Sequence, residues 1–431
     1  MRIAIFTIGT QGDVRPFAAF GRHLQALGHA VTIATSDRHR ALIDQVGLRL
    51  APIESDYAAL MARERALIDG GNQLRIAGSV AATMMAWAPQ WARQGMEAAR
   101  GADLVLGSGS GTILGAAIAE KIGVPFVQAQ FMPLTPSRHL APIWPLPGLR
   151  LPGTANLALS HALRIAMWRL MARPSNALRE ALGLRAFPLL GPWYEREQRV
   201  RPQPVLYAFS RHLQPQPADW SPGRAAVVGF WSLDQGDDWT PPPALRDFLD
   251  AGPPPLYVGF GSMLSGDQQR FTRLVLDAVR RTGRRAIVAT GWGALEAAQA
   301  PPNVLFLRDA PHDWLFPRVS LAVHHGGAGT TAAATRAGLP QVVVPFLADQ
   351  FYWAWRLERS GVNPVLLDRR TMTAQDLADA IFLAEREGVR AAAERLGSLL
   401  RAETGMENAT HALERWGVLP AVQTGRARQL A

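Results

Sequence analysis

The chain has no cysteine. Disulfides, thiolate zinc sites and cysteine nucleophiles are therefore excluded, and a reducing compartment suits it. Lysine is nearly missing as well: Lys121 stands alone, so arginine carries the formal charge of +10. Basic residues are scattered, with no run of five or more. That pattern argues against nucleic acid as a partner and leaves room for contact with an anionic membrane surface. No apolar stretch is long enough to cross a bilayer. The chain enters a strand at once, Arg2 to Ile8, without the charged, apolar and small-residue segments of an export signal. The expectation is a cytoplasmic protein, at most peripheral at the inner face of a membrane. At 48% hydrophobic and 19% charged residues over 431 positions, the composition is that of a globular chain long enough for two cores.

Val/Ile/Leu-rich segments at 2–8, 30–35, 48–53, 103–107 and 125–129 alternate with helix-period segments. The pattern restarts after Pro253-Pro254-Pro255, with strands near 256–260, 285–289, 304–308, 319–323 and 341–344. Strands alternating with helices imply parallel βαβ units, because a parallel crossover needs a helix-length connection. The fold class expected is α/β: two facing, doubly wound Rossmann-like domains with a cleft between them. The first spans 1–210, a Pro-, Gly- and Trp-rich linker 211–244, and the second 245–400; a helical tail at 401–431 braces the pair. Ligands in such sheets bind at the carboxyl ends of the strands, so facing domains create one deep cleft.

The densest motif is His324-His325-Gly-Gly-Ala-Gly-Thr330, followed by Gln341 to Val344 and then Asp349-Gln350. Strand, tight turn, helix, strand and polar tip in succession present backbone N–H groups and a positive helix end to an anion. His325 can donate to a diphosphate, while His324 falls on the opposite face because strand residues alternate. Gly326, Gly327 and Gly329 permit close backbone approach, and Thr330 adds a hydroxyl. Asp349 and Gln350 suit vicinal sugar hydroxyls. A nucleotide-sugar fits this description. In Gly9-Thr10-Gln11-Gly12-Asp13, the aspartate sits at the carboxyl edge of the first sheet, either facing the cleft or capping its helix. Pro16 suits the first turn of that helix. Ser262 ends a Gly-x-Gly-Ser turn and either meets a phosphate oxygen or caps the next helix. Asp234, Asp237 and Asp238 read as a solvated loop, and no metal motif is present.

Segment 73–99 carries Met84, Met85, Trp87 and Trp91 at helical spacing. These residues either pack a core or line an apolar guest, for which methionine and tryptophan make adaptable walls. Phe131, Met132, Ile143 and Trp144, in the loop 130–155, would form the opposite wall.

The HHGGAGTT and GLPQVVVPFLADQ segments, with DAPHDWLFPRVS upstream and GTQGDVRP at the N-terminus, resemble the inverting glycosyltransferases of GT-B fold, glycosyltransferase family 1. The likeness is to the branch of sterol glucosyltransferases, rhamnosyltransferases and antibiotic glycosyltransferases, and LYAFSRHLQPQPADW and VVGFWSLD are similar to its sterol-type members. The resemblance implies that His325, Gly327, Gly329 and Thr330 hold the diphosphate with Ser262, and that Asp349 and Gln350 bind the sugar. It further implies that the turn at Ala310-Pro311-His312 meets base and ribose, and that Asp13 is the catalytic base. Met84, Met85, Trp87, Phe131 and Trp144 would then contact the acceptor. The expected partners are a nucleotide-sugar co-substrate, UDP- or dTDP-linked with UDP-glucose favoured, and a small hydrophobic alcohol; no metal or cofactor is expected. Asp309 and Ala333 stand where plant members carry a tryptophan for the base and a glutamate for the ribose, and Asp13 where they carry histidine. Trp292 either supplies the missing stacking surface or packs. A nucleotide-sugar epimerase and a non-catalytic helper are the competing expectations.

Overall fold

The computed structural model describes residues 1–55, 59–60, 73–140, 151–188, 190–191, 203–234, 239–261, 268–289, 301–346 and 349–421. The first half alternates β1 (Arg2–Ile8), α1 (Gln11–Ala26), β2 (Ala30–Thr35), α2 (Arg40–Gln45), β3 (Arg49–Pro52), α3 (Gln73–Ala98), β4 (Leu104–Gly109), α4 (Ser110–Ile122), β5 (Phe126–Gln130) and α5 (Gly153–Ala181). Strands β6 (Val205–Tyr207) and β7 (Ala225–Val227) complete a seven-stranded sheet of order β3-β2-β1-β4-β5-β6-β7. All its strands pair in parallel; Ile3, for example, lies between Val31 and Leu104.

The second half runs α6 (Pro243–Asp250), β8 (Leu256–Gly259), α7 (Gln268–Thr282), β9 (Ala286–Ala289), β10 (Val304–Leu307), α8 (His312–Leu315), β11 (Leu321–His324), α9 (Ala328–Arg336), β12 (Gln341–Val343) and α10 (Gln350–Arg359). Helices α11 (Ala374–Ala384), α12 (Glu387–Arg401) and α13 (Gly405–Arg415) follow. Its parallel sheet has the order β10-β9-β8-β11-β12. In both sheets the winding reverses beside the first strand of the half, between β1 and β4 and between β8 and β11. A crevice opens at the carboxyl ends of strands where the order reverses. That rule places Gly9 to Asp13 and His324 to Gly327 at the two mouths.

Each sheet is buried on both faces, which is why its strands are apolar throughout rather than alternating. One face of the first sheet packs Ile3, Ile5 and Leu106 on Val14, Phe17 and Phe20 of α1. The other packs Ala4, Phe6 and Val105 on Met84, Ala88 and Trp91 of α3, Leu114 of α4 and Leu178 of α5. The two domains share a further core: Tyr207, Phe209 and Trp220 meet Val343, Tyr352, Trp353 and Leu357. The Tyr352 hydroxyl donates to Gln214 Oε1 at 2.6 Å and Arg356 Nε to the Leu213 carbonyl at 2.8 Å, fixing the linker to the second domain.

Two expectations, on the linker and on Pro16, are corrected. The stretch 211–244 is not linker throughout, since Ala225–Val227 pairs with Val205–Tyr207; strands of three residues are too short to show a period. Within the tail expected at 401–431, α13 returns to the first domain, where Ala409, Ala412 and Leu413 join the core of Ile3 and Phe17. Pro16 lies inside α1 rather than in its first turn, because a capping box at Thr10 and Asp13 starts the helix at Gln11. Lacking an N–H, Pro16 leaves the Gly12 carbonyl without its helical donor.

Candidate active site

Asp13 occupies the third helical position of α1 at the mouth of the first sheet. Its Oδ2 accepts from the Thr10 N–H at 2.7 Å and from the Thr10 hydroxyl at 3.0 Å. The capping alternative therefore holds, and it also immobilises the carboxylate. A β-carbon at Gly9 would stand 2.2 Å from that same oxygen, so only glycine lets the carboxylate lie over the end of the strand. Burial pushes the Asp13 carboxyl above its usual range, opposed by the Thr10 bonds and by the charge of His39. His39, just past β2, has its Nε2 3.3 Å from the Gly9 carbonyl oxygen. No motif in the sequence marked it. The order of the sheet places it there, since the carboxyl end of β2 lies beside that of β1.

In the second domain the paired histidines divide as alternation requires. His324 is fully buried; its Nε2 lies 2.8 Å from Gln341 Oε1, and its Nδ1 accepts from the Gly326 N–H at 3.0 Å. Burial pushes its pKa down to about 3, so it is a neutral structural residue. Gly326 has φ of +85°, and a β-carbon there would meet Val343 Cγ1 at 2.8 Å, which explains the glycine. The His325 ring lies over the turn, with Nε2 2.5 Å from where a Gly327 β-carbon would be. Burial pushes its pKa down to about 4, and its Nδ1 is buried without a partner among the described residues. Gly327 is the N-cap of α9, and Gly329 and Thr330 lie in its first turn.

Asp349 begins α10, and Gln350 is buried, its Oε1 accepting from the Phe346 N–H at 2.7 Å. Burial raises the Asp349 carboxyl to about 7, and the charge of Asp13, facing it from the other domain, adds to the rise. A negative charge on Asp13 thus favours the protonated form of Asp349. The Ala328 N–H, at the start of α9, opposes the rise. The buried Trp353 indole N–H is directed at the same carboxylate without closing a hydrogen bond. The two sheet mouths thus bring one carboxylate from each domain together beside a helix N-terminus and a histidine.

The turn Ala310-Pro311-His312 closes one side. His312 stacks on Phe316 at 4.3 Å between ring centres, and its Nε2 lies 3.3 Å from the Tyr257 hydroxyl. Burial, then the charge of Arg15, then that of His325 push its pKa down to about 4. Arg15 of α1 reaches this turn from the first domain: burial lowers its pKa, and the charges of Asp313 and then Asp309 raise it. The sequence displays Arg15 in GTQGDVRP, yet nothing there shows that it crosses to the second domain.

The expected acceptor residues are divided. Met84 and Trp91 are core residues of the sheet face that α3 covers, Trp87 is partly buried with its ring 5.7 Å from Trp91, and Met85 is 46% exposed. Phe131 packs on the core of the opposite face, 5.5 Å from Phe17, so it does not complete a wall with Met84 and Trp91. Ser262, Trp292, Ile143 and Trp144 lie outside the described residues.

Known proteins bear on this arrangement. Residues 3–140 match the glycosyltransferase family 28 N-terminal domain, and residues 273–407 match the erythromycin biosynthesis protein CIII-like C-terminal domain. The chain is 32% identical to a sterol 3-beta-glucosyltransferase of Arabidopsis thaliana, over 96% of the chain and 68% of that protein. It is 34% identical to a Neurospora crassa sterol 3-beta-glucosyltransferase, of which it spans only 27%. Among solved structures, the glycotransferase of kitacinnamycin superposes with a TM-score of 0.68 at 20% identity, covering 96% of this chain and 98% of that one. The fold is therefore GT-B.

Proposed function

The chain belongs to the GT-B glycosyltransferase family that includes the sterol 3-beta-glucosyltransferases, and on that premise we propose that it moves a sugar from a nucleotide-sugar to a hydroxyl of a small hydrophobic alcohol. The observation that carries this reading is the meeting of Asp13 and Asp349 across the cleft, beside His325 and the N-terminus of α9. That arrangement offers a base to an acceptor from one domain and a hydrogen-bonding group to a sugar from the other. The acceptors that fit are sterols, terpenoids, polyketides and hydroxy-lipids. UDP-glucose is the favoured donor and a dTDP-sugar the other candidate. Its acceptor class brings the protein to a membrane surface from one side.

Asp13 takes the acceptor hydroxyl proton as the oxygen attacks the anomeric carbon from the face opposite the diphosphate. The bond between that carbon and the phosphate oxygen breaks, the nucleoside diphosphate leaves with the electron pair, and configuration inverts. A carboxylate is a weak base, so it helps mainly as the hydroxyl acidifies during bond formation, a contribution of roughly 10² to 10⁴. Raising the Asp13 pKa by burial brings it closer to its task. The departing charge meets the positive end of α9, about half a unit charge, and the His325 ring. His312 and His325 are both pushed down to about 4, and the aspartates Asp13, Asp309, Asp313 and Asp349 supply no positive charge. Arg15 is therefore the side chain suited to balance a diphosphate there, and no metal is invoked.

UDP- and dTDP-sugars screened against hydrophobic alcohols, read by conjugate mass, test the assignment. A product heavier than the alcohol by one sugar is expected. Calorimetry finding no heat with any nucleotide-sugar would end the reading.

A further inference from the structure

Helices α3 and α5 lie on the same face of the first sheet, with Met84, Ala88 and Trp91 of α3 and Leu178 of α5 in one core. Half a turn away both helices look outward. On α3 the outward residues Gly78, Ala82, Met85, Ala86 and Pro89 are exposed and none is polar; exposed Arg75 and Arg93 bound them. On α5 the outward residues Ala158, Leu159, Ala162 and Ala166 are exposed, and Arg169 and Arg173 continue the same stripe. A helix on a soluble surface normally turns its charged face to water. Here the outward faces are apolar and their only flanking charge is positive. The sole carboxylates of the two helices, Glu97 and Glu180, lie at their far ends. Among the described residues, three of the eleven large apolar side chains left exposed lie on these two helices: Met85, Leu159 and Met167.

We propose that the outward faces of α3 and α5 form a docking surface for an anionic lipid bilayer. Charge complementarity decides for lipid over protein, because the exposed charges bounding the apolar stripes are arginines, with no carboxylate of either helix among them. Arginine stems lie along apolar surface while the guanidinium reaches the headgroups. Such binding is interfacial, combining buried apolar area with attraction to anionic lipid. No helix among the described residues is long and apolar enough to cross a membrane. The inference rests on the proposed acceptor class, an alcohol dissolved in such a bilayer, and names the surface that meets it.

Flotation of the full chain with phosphatidylcholine vesicles, with and without phosphatidylglycerol, tests the proposal. Binding is expected only with the anionic lipid and should fall with salt. Each arginine near an anionic surface is worth roughly fivefold in affinity, so the double variant Arg169→Glu and Arg173→Glu should lose at least about tenfold. Leu159→Asp should weaken binding as well. Both variants should keep the wild-type melting temperature and turnover on a detergent-dispersed acceptor. A chain that stays in solution with both vesicle types, or binds them equally in wild type and variants, overturns the proposal. So does a concentration-dependent dimer that the same substitutions dissociate, which would make the face a contact between copies. Vesicle binding without turnover on any acceptor would leave this surface supported and defeat the functional reading instead.

Discussion

The two sides of the cleft are built in opposite ways. The side proposed for the donor is densest in one stretch of chain, where His324, His325, Gly327 and Asp349 follow closely on one another. His324 anchors the strand end to Gln341, Gly326 adopts a backbone that side chains avoid, and His325 lies across Gly327. The residues expected to meet the acceptor come from distant pieces and do not form one wall: Met84 and Trp91 are core, Trp87 is partly buried, Met85 looks outward and Phe131 packs on the opposite sheet face. A phosphate demands a fixed backbone geometry, whereas a hydrocarbon demands only area. Donor recognition therefore constrains sequence, and acceptor recognition constrains shape.

The sharpest way to test that contrast is at Asp13, the group proposed to activate the acceptor. Asp13→Asn should lower turnover by roughly 10² to 10⁴ while calorimetry finds donor affinity unchanged. Asparagine can still accept from the Thr10 N–H, so the helix start survives; Asp13→Ala would add about 1 kcal/mol of lost capping. Next in size is His325→Ala, which should cost about 10² in kcat/KM and weaken nucleoside diphosphate binding. Its acceptor KM should hold, and a change there would blur the two sides. Trp87→Ala should do the reverse, raising acceptor KM roughly tenfold, the equivalent of about 1.4 kcal/mol of lost apolar contact, with donor affinity intact.

The smallest effect concerns the carboxylate pair. Because burial and Asp13 raise Asp349 to about 7, the folded chain holds a proton that the unfolded chain releases near 4. Stability from this group therefore falls as pH rises from about 4 to about 7, and the penalty persists above. Asp349→Asn should raise the melting temperature by a few degrees at pH 8 and leave it unchanged at pH 4. An equal shift at both values would show that Asp349 is not protonated in the folded protein.

Much of the donor side was legible because its chemistry is local. The glycines, the paired histidines and the Asp-Gln tip lie within one strand–helix–strand unit, and alternation alone assigned His324 and His325 to opposite faces. Less was legible where residues meet from afar. Phe131 reads as part of an apolar wall, yet it packs with Phe17 and Trp231 on the other face of its sheet. His39 carries no motif and reaches Gly9 from the end of β2, and Arg15, though inside GTQGDVRP, meets the His312 turn of the other domain, which nothing near it in the sequence shows.

By itself the sequence determined the two wound halves and the glycine-rich turn after β11, because period, glycine placement and strand-end polarity are properties of neighbouring residues. Only tertiary structure decided that Asp13 and Asp349 confront each other, that α13 returns to the first domain, and that Tyr207, Phe209 and Trp353 lock the domains together. Those are contacts between surfaces far apart along the chain. Their pairing depends on which apolar faces remain to be covered once each sheet has closed.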